Sequence, residues 1–163
     1  MADNNSNAPV SRLRYPTDYN LKSIVLYSPT LGGSLDLKSR LVELNYFEDI
    51  YNQSISGQLV ISDAVGILNL SGLNGTEFLK ITLEKSGDAP TTIDRNFRIF
   101  SISERTFDTN TNYETYIINF CSEELFISEQ YRISKSFKSQ TIDTMITRIL
   151  NDYLLVGGKN KPL

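Results

Sequence analysis

Histidine and tryptophan are absent from the 163 residues, and cysteine occurs once, at Cys121. Without histidine the chain lacks the commonest general base and the commonest imidazole metal ligand. Cys/His zinc sites, catalytic triads and Cys–His dyads are excluded by count. A lone cysteine forms no internal disulfide, so the chain reads as one kept in a reducing compartment. Cys121 itself reads as a small apolar residue on a strand. No three basic residues are consecutive and the net charge is -3. The footprint of a nucleic-acid binder, which needs clustered Lys or Arg, is therefore missing. No stretch approaches the ~18 consecutive apolar residues of a membrane span. The polar start, Met1–Asn7, has no apolar core of the kind a signal peptide needs. Asn-x-Ser/Thr triplets begin at Asn4, Asn52, Asn69 and Asn74 and, without a secretory signal, read as chance. Gly-rich phosphate loops are absent as well.

What is present suits one domain with its own core. Hydrophobic residues make up 40% and charged residues 21%, and a chain of this length buries about 68–70% of its unfolded surface. Residues 1–19 are rich in Asn, Ser and Pro, show no sustained period and read as a flexible arm. Arg12, Arg14, Tyr15 and Tyr19 are its candidate docking residues on a neighbour. From Leu21 the pattern has period two. Leu21–Tyr27 reads as a strand stopped by Ser28-Pro29, and Gly32-Gly33 as a turn. A long extended segment follows from Ser34 to Glu48. Its apolar face switches near Leu41-Val42, which predicts a bulge or corner there. Ser54–Ile61 reads as a strand in which Gly57 marks a close backbone approach. Asp63 is placed to cap one or two helical turns ending at Ser71-Gly72.

Glu77–Lys85 alternates, and Ser86–Pro90 reads as a loop. Thr92–Thr106 and Tyr113–Ser122 form a predicted hairpin with apolar residues on both faces, as a strand covered on both sides would show. Ser122–Phe126 reads as a capped helical turn and Arg132–Lys138 as a last short strand. Ile142, Met145, Ile146, Ile149, Leu150 and Tyr153 recur at helical spacing, with Ser139 as expected cap and Gly157 as expected stop. One apolar stripe predicts packing across the barrel. The expected architecture is mainly β (α+β): an antiparallel barrel of two packed sheets, six or seven strands, with a flanking C-terminal helix.

Constellations that imitate chemistry have simpler readings. Asp108–Asn112 resembles the start of an EF-hand loop, but the required sixth-position Gly and twelfth-position Glu are Tyr113 and Asn119. Glu48/Asp49 lie on a strand, where neighbours face opposite ways, and Glu123/Glu124 complement a helix dipole. Nine tyrosines and eight phenylalanines suit core and subunit-interface packing better than base stacking, because the basic residues are dispersed among acids. No catalytic, cofactor or metal site is expected, and the chain reads as a non-enzyme.

The runs Leu41–Asn52, Ser56–Ala64 and Leu73–Ile81, followed by Phe97–Glu104 and the Ser-Glu-Glu-Leu turn at 122–125, resemble the N-terminal, tail-tube-like domain of the baseplate hub protein of contractile-tailed bacteriophages. The motif of that resemblance is Leu73, Gly75 and Glu77, and the resemblance spans roughly Leu21 to Val156. It implies a tail-tube-like barrel over 20–156 that joins edge to edge into a ring, as a homotrimer or a hexamer. The implied partners are the tail tube protein, the central spike protein and DNA that passes without specific binding. The implied place is the virion's tail baseplate, after assembly in the host cytoplasm. A hub carries two such domains and only one fits here. Residues 157–163 thus read as a linker, and the chain as an N-terminal piece of a longer hub chain. A tail tube or tail terminator protein shares the implied fold. A glycan- or receptor-binding β-domain and a cell-wall hydrolase domain are further readings, disfavoured by the missing tryptophan and the missing histidine.

Overall fold

Alternating apolar residues build seven strands in the computed structural model, which describes residues 19–30, 32–71, 73–85 and 91–154. They are β1 (Tyr19–Ser28), β2 (Gly33–Asp36), β3 (Leu41–Phe47), β4 (Ser56–Asp63), β5 (Phe78–Lys85), β6 (Thr91–Asp108) and β7 (Tyr113–Ser122). Three helices join them: α1 (Ile67–Ser71), α2 (Glu123–Gln130) and α3 (Ile142–Asp152). All pairings are antiparallel, in the order β2-β1-β5-β6-β7-β4-β3. The curled sheet buries Ile24, Leu26, Leu59, Ile61, Leu79, Ile81, Phe97, Tyr116, Ile118 and Phe120 on its inner face. Each large side chain so buried contributes ~1.5–3 kcal/mol.

β6 decides the shape. Its first half, Thr91–Arg98, pairs with β5, and its second, Phe97–Asp108, pairs with β7. One strand thus serves two four-stranded halves of the single seven-stranded sheet, β2-β1-β5-β6 and β3-β4-β7-β6, and forms the corner between them. The register shifts between Ile99 and Ser101. Phe97 and Ile99 are buried before this bulge; after it Ile102 pairs with buried Ile118 but is itself exposed. The extra residue, Phe100, is 56% exposed. The doubled apolar pattern of this hairpin therefore records a change of phase, not a strand covered on both faces.

The opposite corner closes without a ladder. The segment expected as one long strand is β2, a 3-10 turn at Lys38–Arg40 and β3. The register shift between Leu41 and Glu43 sits where the apolar face was expected to switch. Leu37 fills the corner: it is fully buried, and its N–H donates to the Ile24 carbonyl at 2.9 Å. Four residues thus carry the chain from one edge of the sheet order, β2, to the other, β3.

Two expectations fail after β7. Arg132–Lys138 forms no strand. Both edges of β7 are already taken by β4 and β6, and α2 carries the chain off the sheet, so the segment meets no edge. α3 forms as expected, preceded by Thr141 at its N-cap, whereas Ser139 has a φ of 53° and does not cap it. None of its residues is buried, and Ile142 and Ile146 face water. The rest of the stripe, Met145, Ile149, Leu150 and Tyr153, is only half-buried, so the predicted packing across the barrel is not made in full. Of the expected arm 1–19, Tyr19 instead opens β1, where it pairs with Lys85; residues 1–18, the Ser86–Pro90 loop, the stop at Gly157 and the linker lie outside the described residues.

Gly57 sits where two chain segments nearly touch. A Cβ there would lie 2.3 Å from the Asn45 carbonyl oxygen and 2.3 Å from the Phe120 ring. Gly57→Ala is expected to cost about 1–3 kcal/mol through overpacking, read as a lower urea midpoint with unchanged slope. Gly33→Ala, with nothing within 4 Å of its Cβ, is the control expected to leave the midpoint in place.

Candidate assembly surfaces

The buried carboxylates come first, because a buried charge is either structural or chemical. Asp63 ends β4 and is 1% exposed. It accepts from the backbone N–H groups of Val65, Gly66 and Ile67 at 2.9, 3.0 and 2.5 Å, and from the Tyr116 hydroxyl at 3.3 Å. The expected cap is thus displaced: Asp63 holds the turn that leads into α1 and reaches the first N–H of the helix at Ile67, with Gly66 at a φ of 77° making the turn. Burial, and then the Asp63 carboxylate, push the Tyr116 phenol far above its ordinary range.

The motif Leu73, Gly75 and Glu77 comes together in one turn ahead of β5. Glu77 is 1% exposed. Its carboxylate accepts from the N–H groups of Asn74 at 3.2 Å and Gly75 at 2.9 Å, and from the Ser28 hydroxyl at 3.4 Å. Gly75 supplies a φ of 90°, and Leu73 packs on the core. The spacing thus encodes a turn held by its own carboxylate, and it ties the end of β1 to the start of β5.

A third carboxylate was not legible in the sequence. Glu114 shares the inner face of β7 with Tyr116 and Ile118, and Arg105 of β6 binds it through both nitrogens of a fork, one at 3.1 Å. A charge on the apolar face of an alternating strand was the available signal. Arg105 reaches it because the register shifts again between Ser103 and Thr106, with Glu104 at a φ of 53°. The exposed pair Glu123/Glu124 opens α2, and Glu123 binds Arg98 at 2.8 Å. The Asp108 loop is a self-satisfied turn. Its carboxylate accepts from Thr111 and Asn110, and those bonds, the Thr111 one foremost, hold its carboxyl below the usual range. Cys121 is buried on β7, and burial pushes its thiol up.

What stays open is backbone and surface. β3 has one unpaired side. So does the second half of β6, because β5 ends its pairing at Arg98. Every residue from Phe100 to Asp108 is exposed. The sheet β3-β4-β7-β6 thus has two open edges. Its outer face carries a row of amides and a hydroxyl in register across all four strands, Asn45, Gln58, Asn119 and Ser101. The Asn119 amide donates to Ser101 and Ser103, both at 3.0 Å. The other sheet carries ion pairs instead, Lys22–Glu84 at 2.5 Å and Lys80–Asp94 at 3.1 Å.

No protein-family model matches the sequence, and no curated protein matches it. Solved structures do. A chain of the Francisella PdpA–VgrG complex in its half-lidded form superposes with a TM-score of 0.52 at 16% identity, over 85% of this chain and 22% of that one. The lidded form gives 0.49 at 14% identity, over 82% and 20%. The likeness is one of fold. The chain spans about a fifth of the length of those it resembles.

Two outcomes test the buried network. Glu77→Gln turns an amide donor toward the Asn74 and Gly75 N–H groups and is expected to cost about 1–3 kcal/mol. Exposed Glu43→Gln should stay within ~0.5 kcal/mol. In alkaline titration the unfolded chain ionises its tyrosines near pH ~10, while folded Tyr116 keeps its proton. Stability is then full below that pH and falls as pH rises above it. Tyr116→Phe should flatten that alkaline slope in pH-dependent urea melts.

Proposed function

We propose that the chain is a structural module of a contractile-phage tail baseplate hub. Copies join through their open strand edges into a ring between the tail tube and the central spike, in the virion. The observation that carries this reading is the four-stranded sheet with two unpaired edges. Such edges recruit further strands, and a strand added from one copy to the next is a heterologous contact, the kind that generates a ring when its rotation closes. The shared fold with a chain of the Francisella PdpA–VgrG complex supports it. The amide row supports passage of DNA along this face, because a surface without cations there gives phosphates nothing to hold. A non-enzymatic role agrees with the buried carboxylates, each bound to backbone donors or to an arginine.

Light scattering with negative-stain imaging of the purified chain tests the proposal. A three-fold ring with a central hole is the expected result. A six-fold ring would assign the chain to the tail tube or terminator class. A monomer at high concentration would remove the reading.

A further inference from the structure

Strand β7 is followed by a stretch of chain that buries nothing of itself deeply. Tyr131 to Ser136 are all exposed, and so is Lys138, with Phe137 half-buried. Ordering such a segment costs ~1 kcal/mol or more per residue in backbone entropy, to be offset by contacts. The residues nonetheless alternate as a strand does, Ile133 and Phe137 against Arg132, Ser134 and Ser136. They meet no ladder in their own fold, because α2 has carried them away from the sheet.

We propose that Tyr131–Lys138 of one copy adds as a strand to the free edge of β6, Ile99–Asp108, in a second copy. This rests on the self-assembly reading and names which segment covers which edge. Length agrees: eight residues span about 26 Å and the ten-residue edge about 33 Å. Charge agrees too. The segment carries Arg132, Lys135 and Lys138 and no acid. The edge carries Glu104 and Asp108, while its single cation, Arg105, is committed to Glu114. A direct pairing of β6 with β3 would instead bring these acids toward Glu43, Glu48 and Asp49. Both surfaces also hold apolar side chains in water, Tyr131 and Ile133 on one and Phe100 and Phe107 on the other. Lys135 lies over the Phe137 and Tyr153 rings at 5.8 and 5.7 Å, an exposed contact that pairing can replace.

Because Cys121 is buried, added cysteines report without interference. Ser103→Cys and Ser134→Cys, purified separately and mixed, are expected to give a covalent dimer with a short thiol crosslinker, at least tenfold more than either alone. Successive N–H groups of a strand point to opposite sides, so one of Ser134→Pro and Lys135→Pro removes a paired donor. That variant should weaken assembly at least tenfold without moving the thermal midpoint of the barrel. Assembly unchanged in both variants, with no mixed crosslink, overturns the strand addition and leaves the ring reading standing. A monomer at every concentration overturns both. A crosslink forming within single molecules of the double-cysteine chain at nanomolar concentration also overturns the proposal, since the segment then covers its own edge.

Discussion

The bulge at Phe100 is the constraint on which the rest depends. A strand of eighteen residues cannot stay in one twisted sheet and keep one apolar face inward. By inserting a single extra residue, β6 resets its phase and passes from one sheet to the next. Phe97 and Ile99 are buried ahead of the extra residue, and Ile102 pairs with buried Ile118 beyond it. Remove the bulge, and the partners of β6 on β7 beyond it shift by one residue. The open edge begins beside it, because β5 starts at Phe78 and its ladder ends on Arg98. Corner and open edge thus lie together on one strand.

Polar groups then fix the ends of what the bulge creates. Asp63, Glu77 and Glu114 are buried carboxylates at strand ends, each holding backbone donors or an arginine. Each makes a turn or a pairing unique, since leaving its donors unmet in the interior costs more than the bond gains. These groups explain how a sheet with few charges on its amide-bearing face still has a defined register.

Much of this was legible from local chemistry. Asp63 ahead of an apolar turn, Gly57 inside a strand and the face switch at Leu41-Val42 each have a physical signature of two or three residues, and each stands in the fold as those signatures imply. The Leu73, Gly75 and Glu77 spacing was legible as a motif, although its reason, a carboxylate bound to its own turn, needed coordinates. What was misread depends on distant partners. The two apolar faces of β6 look like double coverage until the register shift is seen. Arg132–Lys138 has a strand's pattern, but a strand exists only where an edge receives it. The α3 stripe was legible as a helix, yet nothing in its periodicity says what lies against it. The amide row was invisible because Asn45, Gln58, Ser101 and Asn119 come from four separate segments.

The corner at Leu37 has a mechanical meaning. On one side of the barrel a continuous strand passes between the sheets; on the other, closure rests on a four-residue connector and one buried leucine. Hydrogen-bond ladders break in discrete steps, while apolar contacts lose energy gradually as surfaces slide. The barrel therefore has the parts of a clasp, a stiff pivot at β6 and a greased latch at Leu37. Small differences in curvature would then be taken up at the latch, with the ladders kept whole.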